Sequence, residues 1–547
     1  MNTLYCRLGL AAFFMLLQAS AFCDPVVADM ALPRPNSYLA RSANAMPHTN
    51  PAQVDSTAVA GPRGPTRLLA PMELRYAKGI GPGHFGFTIS SPYRNGRRVI
   101  WSSGADGIVK LDEASFRVID AMPLAGVTPM TDAEAESVLG QLASLRGPAR
   151  LQFAIRHAPR IYGSNMAGVY TLLDRDGNFY VGGKTGLTAY GDRHPGDPDS
   201  PIAVRRTWTL PAGVKGPLVG INMTYDGWLV LVTEDGWLMT VSRDFRFHHL
   251  MRLPHAEEEA ATQNAKMAAE GRTGYGWVRN SYAVDEHGGI YIAANNWMMK
   301  MVWTGKALSA ATRDGAWVVP YANSTGRGTG STPVLMGFGK DARLVVITDG
   351  DDLMNITYYW RDAIPSDWQG RAEWGDRRIV AKLPVNLCDP ARRALQSEQA
   401  VVVAGHDAFV VNNEPASYPP GFPHRYGALL LSLLGDDPAY TPHGMEKFTW
   451  DPQARQARSA WCNTEIASPN AVPFASLGSG LVYTTGVRDW QWTLEAIDIA
   501  SGRAAFHYVM GGPRYNTNFS GVVIDGQGRP TFGTLFGLLR IEAVPAP

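Results

Sequence analysis

The feature that most constrains this chain is a repeat. From Phe85 onward an apolar run, a turn rich in Asp and Gly, a second apolar run, a polar turn and a third run recur. About eight such units follow one another, spaced by roughly fifty to seventy residues. They begin at Phe85, Gly168, Val219, Asn280, Ser331, Ser397, Asn470 and Phe519. VGINMTYDGWLVLVTEDGWLMTV, from Val219, and NSYAVDEHGGIYIAANNWMMKMV, from Asn280, show the pattern most plainly. A small meander of this kind cannot bury both faces alone, so the units are expected to stand radially around a channel. The expected fold class is all-β, a β-propeller of eight blades with seven as the alternative, carrying short helical insertions. The last unit holds only three strand-like runs before the chain ends. TRLLAPMELRYA, from Thr66, is expected to supply its fourth strand and close the ring.

Composition agrees with a turn-rich all-β chain. There are 57 Gly, 38 Pro and 15 Trp, and only 18% of residues are charged. A net charge of +1 speaks against nucleic acid as a partner. Two stretches read as helices inserted between units. TDAEAESVLGQLASLRG has Thr131 as N-cap and acidic residues in its first turn, and AEEEAATQNAKMAAEGR starts at Ala256 with acids leading.

The chain begins MNTLYCRLGLAAFFMLLQASAFCDP. Arg7, an apolar core and Ala19-Ser20-Ala21 make a secretory signal peptide, with cleavage expected after Ala21. Residues 1–21 are thus the signal, 22–65 a flexible leader rich in Pro, Ala, Ser and Asn, and 66–547 the propeller. No other segment is long and apolar enough to span a bilayer. The mature protein is expected to be secreted or periplasmic, and monomeric. In an oxidising compartment Cys388 and Cys462 can pair, leaving Cys23.

Function is expected where the links into the innermost strands and the turns after the second strands meet, because rigid sheets there carry variable loops. LVVITDGDDLMN, residues 344–355, ends a second strand in such a turn. Its Asp and Gly residues suit a hairpin turn; its carboxylates also suit acid–base or cation chemistry. Glu398 and Asp349 are the catalytic candidates. Asn280, Asn295, Asn412, Asn413, Glu414, Asn470, Asn518 and His424 are the ligand-binding candidates. Asp349, Glu398 and Glu414 are oxygen donors of the kind Ca²⁺ takes. GRGTGST, from Gly326, resembles a phosphate loop but lacks its lysine, and a strand follows it.

LEAIDIASGRAAFHYVMG places Ala496, Asp498, Gly502 and Phe506 at spacings similar to a blade-docking motif. In that motif, A-x-D-x-x-x-G is followed four residues later by Trp; here Phe506 replaces the Trp. By it the chain resembles the quinoprotein alcohol dehydrogenase-like propellers, the superfamily of the pyrroloquinoline quinone (PQQ) enzymes. The resemblance implies the fold over about four-fifths of the chain. It does not extend to the quinone, since the vicinal cysteine pair and a haem-binding C-x-x-C-H are absent. Three readings follow. The first is a hydrolase, lyase or isomerase, Ca²⁺-assisted or cofactor-free, acting on a small molecule or glycan at the channel mouth. The second is a non-catalytic binding or assembly propeller of the envelope, and the third a quinone-dependent dehydrogenase.

Overall fold

The computed structural model describes residues 32–162, 170–270, 276–339, 343–423 and 427–542. The segment expected as a signal peptide, Cys23 and His424 lie outside them. Eight antiparallel sheets follow in chain order as blades. Blades 1 to 4 span Gly86–Pro123, Thr171–Thr209, Leu218–Arg252 and Ala283–Pro320. Blades 5 to 8 span Val334–Pro384, Val402–Ala467, Phe474–Gly511 and Val523–Ile541. Each runs from an innermost strand at the channel to an outer edge, and neighbouring innermost strands lie side by side around the ring.

The ring closes as the sequence implies. Leu74–Lys78 pairs antiparallel with Gly537–Ile541, from Leu74 opposite Ile541 to Lys78 opposite Gly537, and becomes the outer strand of blade 8. Just before it, Arg67–Leu68 adds in parallel to the outer strand of blade 7. Blades are buried on both faces by their neighbours, so their middle strands read as continuous apolar runs; all five residues of Leu344–Thr348 are buried. Polar clamps recur between blades. Lys110, Lys300 and Lys447 each reach from a third strand to a carbonyl of the next blade's outer turn, those of Ser200, Arg361 and Ile499. Trp317 and Trp461 donate their indole N–H to the Arg361 and Ile499 carbonyls. Trp461 also lies against Gly502, which has no room for a Cβ, so the docking motif is engaged by the tryptophan of the preceding blade.

The segment expected as a flexible leader is packed from Asn36 to Thr57. It crosses the channel on the face of the turns between first and second strands and bonds to seven blades in succession. Asn44 and Ala45 meet Ile89 and Leu173, and Pro51 accepts from Asn222 and Val284. Ala52 and Val54 accept from Leu335 and Val403, and Ser56–Thr57 pairs in parallel with blade 7. The reason is physical: the innermost strands leave a ring of polar backbone that needs partners, and an irregular chain supplies one bond per blade. His48, Thr49, Gln53 and Asp55 take left-handed backbone to do so. His48 Nδ1 lies 2.6 Å from the buried Asp55 carboxylate.

The opposite face, the mouth, carries the helices. α1 (Asp132–Ser144) is capped by Thr131 with Glu134, as the sequence implies, and buries Ala135, Val138, Leu139 and Leu142 on one stripe. A second helix, α2 (Gly147–Ile161), begins where the insertion was expected to end; Gly147, at φ 52°, makes the corner. α3 (Ala256–Ala269) lies after blade 3, and α4 (Gly427–Leu434) interrupts blade 6 and packs against α2. Arg160 of α2 grips Asp106 of blade 1 with two bonds of 2.8 and 2.7 Å. α2 and α4 with Phe85, Phe519, Leu535 and Phe536 form an apolar cap over blades 7, 8 and 1. Cys388 and Cys462 are joined by a disulfide. Among the described residues no helix is long and apolar enough to cross a membrane.

Candidate functional site

The structure divides the expected site residues into three groups. The first lies under the cap and is committed to protein partners. Asn413 Oδ1 accepts from Ser397 Oγ and from the Glu398 N–H, while its Nδ2 donates to the Ser468 carbonyl. Asn470 donates to Asn516 at 2.8 Å and accepts from Thr517 at 2.8 Å. Asn518 Oδ1 accepts from Tyr162, which caps the end of α2, at 2.8 Å. These buried amides join blades 6, 7 and 8 to each other and to the cap, though Asn518 Nδ2 finds no hydrogen-bond partner among the described residues.

The second group braces turns. Asp349 is buried, and its oxygens accept from the backbone and side chain of Asn355 at 2.8 and 2.7 Å, with Lys382 3.4 Å away. Burial raises its pKa, and the Asn355 bonds and Lys382 oppose that. It closes the hairpin of blade 5 and does not face Glu398. Asn412 holds its own turn through the Glu414 backbone and the His443 carbonyl. The Asn295 backbone carbonyl accepts from the Asn323 side chain at 2.7 Å, and Asn280 donates to the Thr329 carbonyl at 2.9 Å.

The third group is the one the structure brings together, at the rim between blades 4 and 6. Arg279, just before the innermost strand of blade 4, forms an ion pair with Glu398, which leads into that of blade 6. The Arg279 side chain is 5% exposed and that of Glu398 25%. Arg279 also donates to the Arg327 carbonyl at 3.2 Å. Tyr170 reaches across from blade 2. Burial raises its hydroxyl pKa, while hydrogen bonds with the Ser281 backbone and Thr332 side chain and the charge of Arg279 lower it. Glu414, half-buried, accepts from Tyr418 at 3.2 Å. Burial lifts its pKa; Tyr418 and Arg327 oppose the shift, and Glu398 and Asp352 add to it. Arg279, Arg327 and Tyr170 escaped the sequence reading, although all three precede innermost strands. The signal available was position in the repeat, since Arg279 stands immediately before Asn280.

Glycine sets how closely these parts meet. A Cβ on Gly330 would lie 1.9 Å from the Ser397 carbonyl oxygen, so blades 5 and 6 touch backbone to backbone beside Glu398. Gly330→Ala is expected to cost about 1–3 kcal/mol of stability by overpacking. An unchanged thermal midpoint would mean that this contact does not exist.

Among the described residues no three His, Cys, Asp or Glu side chains gather as a metal-ligating set. Asp349 is held apart from Glu398 and Glu414, and the charge beside Glu398 is already that of Arg279. At the mouth of the channel Tyr170 reaches from blade 2 toward Ser281 and Thr332.

No protein-family model matches the sequence. The chain is 31% identical over 474 residues to a protein of Archaeoglobus fulgidus described as uncharacterized, covering 83% of this chain and 79% of that one. In structure it is similar to the quinohemoprotein alcohol dehydrogenase of Comamonas testosteroni. The TM-score is 0.52 at 11% identity, over 94% of this chain and 82% of that one. The quinohemoprotein alcohol dehydrogenase ADHIIG of Pseudomonas putida HK5 gives 0.49 at 12% identity, over 94% and 82%. The resemblance read from the docking motif thus holds for the fold.

Proposed function

The chain belongs to the family of the Archaeoglobus fulgidus protein, and from that premise we propose an exported propeller that works on a small polar molecule or glycan at the blade 4–6 rim, by acid–base chemistry of the hydrolase, lyase or isomerase kind. The observation that carries this reading is the pairing of two carboxyls in unlike surroundings. Glu398 faces a guanidinium and serves as the base; Glu414, lifted by burial, keeps its proton longer and serves as the acid. Tyr170 and Tyr418 offer hydroxyls to orient a polyol. The plug of residues 36–57 leaves the mouth face as the way in, and the cap covers blades 7, 8 and 1 while the blade 4–6 side keeps Glu398 and Glu414 partly exposed. Export is supported by the Cys388–Cys462 disulfide, a bond that persists in oxidising compartments.

The test is turnover on a panel of glycans and their oligosaccharides, followed by reducing ends and by the absorbance of unsaturated products. Glu414→Gln retains an acceptor for Tyr418 and is expected to keep the fold while turnover falls about 10²- to 10⁴-fold. Activity should also decline as pH rises through the Glu414 pKa, because the acid form is then lost. Full activity in both Glu414→Gln and Glu398→Gln would overturn the assignment; saturable binding without turnover in the wild type would leave a binding propeller.

A further inference from the structure

The GRGTG stretch, Gly326 to Gly330, is left over from the sequence reading, and it ends at this rim. It is not a phosphate loop, because its backbone donors are already in use. The N–H groups of Gly326 and Gly328 are held by the carbonyl and Oδ1 of Asn323, at 3.1 and 2.9 Å. Those of Arg327 and Thr329 are held by Thr325 Oγ1 and the Tyr321 hydroxyl. Thr325 is tied in turn to the Gly350 carbonyl at 2.8 Å. A loop so braced is a rigid mount for the one long side chain it carries, Arg327.

Among the described residues the Arg327 guanidinium has no hydrogen bond and no ion pair, although it is half-buried and within electrostatic reach of Glu414 and Tyr418. Lys266 of α3 stands beside the same loop: a Cβ built on Gly326 would lie 2.8 Å from its Nζ. Lys266 likewise has no ion-pair partner among them. The sequence places the two cations on separate elements; the fold sets Lys266 beside the loop that carries Arg327, and Arg327 within electrostatic reach of Glu414. A guanidinium on a rigid loop and an ammonium on a flexible stem, neither with an ion-pair partner among the described residues, match an oxyanion at one end of a ligand.

Resting on the acid–base site proposed above, we propose that its ligand is a hydroxylated molecule bearing an oxyanion, either a carboxylate as in a uronic acid or a phosphate ester. Arg327 binds the anion and Lys266 adds to its field.

Calorimetric titration with glucuronate, glucose 6-phosphate and glucose tests this, at low and at physiological salt. The acidic sugars should bind and glucose should bind at least about tenfold more weakly, with the acidic affinities falling as salt rises. Arg327→Gln should weaken the acidic sugars about 10- to 100-fold, leave glucose and the thermal midpoint unchanged, and so remove the preference. Which acidic sugar binds more tightly decides between carboxylate and phosphate. Equal binding of all three, unmoved by Arg327→Gln, overturns the anion inference while leaving the site. Acidic binding that needs Arg327 but ignores Glu398→Gln and Glu414→Gln keeps the inference and removes the acid–base reading. Binding of none of the three overturns the proposal.

Discussion

Deleting residues 66–77 is expected to leave no cooperatively folded propeller. The deletion removes the outer strand of blade 8 and with it four of the five paired positions along Gly537–Ile541. Leu74 and Tyr76 pack into the apolar core of blades 7 and 8, so the loss is of core as well as of hydrogen bonds. In a ring, an opened blade also exposes its neighbours: blade 1 follows at once through the link in which Gly79 and Gly83 bond to the Phe536 and Leu535 carbonyls. Unfolding therefore spreads in both directions, unlike the loss of an edge strand in an open sheet. A point substitution isolates the effect. Ala77 is 4% exposed, and Ala77→Asp buries an unpaired carboxylate against strand Gly537–Ile541, at several kcal/mol. Thermal unfolding checks both variants; a midpoint equal to that of the intact chain would mean that the ring closes elsewhere.

That closure was legible because the missing fourth run of the last unit and the spare run after Thr66 are two halves of one pattern. Each strand's apolar character follows from burial between two blades, so every unit announced itself in the sequence. The plug was illegible for the converse reason. Residues 36–57 have no period of their own, since each of their bonds goes to a different blade, and Pro, Ala, Ser and Asn in that order look the same whether solvated or threaded through a channel. The site was half legible. Position in the repeat pointed to the mouth and listed Glu398 and Glu414 together among its oxygen donors, and the structure sets these two within electrostatic reach of each other. It also put Asp349, Asn470 and Asn518 on the list, because sequence does not distinguish an amide or carboxylate aimed at a ligand from one satisfying a turn or an adjoining blade. α2 was missed because Pro148 and Pro159 argue against a helix, yet the first sits in its opening turn, where its missing N–H is no loss, and the second gives up one backbone bond just before the helix stops at Ile161. Its stripe of Leu151, Ala154, Ala158 and Ile161 gains meaning only once α4 lies against it.

Arg150→Met is expected to detach this cap, and to do so in a pH-dependent way. Arg150 and Asp436 form a buried ion pair, each side chain 2% exposed, and the same guanidinium donates to the Leu433 carbonyl at the end of α4. Burial pushes the Asp436 carboxyl up to about 6, with Arg150 opposing; burial likewise lowers Arg150, with Asp436 opposing. The pair is thus held against desolvation by its own contact, and removing the cation leaves an uncompensated buried carboxylate, at about 3–5 kcal/mol. Asp436 binds its proton more tightly folded than unfolded, so its contribution is fullest below pH 4 and is lost as pH rises through about 6. Without Arg150 the carboxyl rises further still. The substitution should therefore be severe at pH 8, where the proton must be kept against solution, and mild at pH 5, where it is readily bound. Limited proteolysis between α4 and blade 6 reports the detachment directly, since the cap is a local unit that opens without the blades. Arg150→Met with Asp436→Asn should restore most of the protection at pH 8, because no charge then remains to be buried. If cleavage of Arg150→Met is the same at pH 5 and pH 8, the stability of the cap comes from the Leu433 carbonyl bond and the apolar contacts alone, and Asp436 is not the group that Arg150 neutralises.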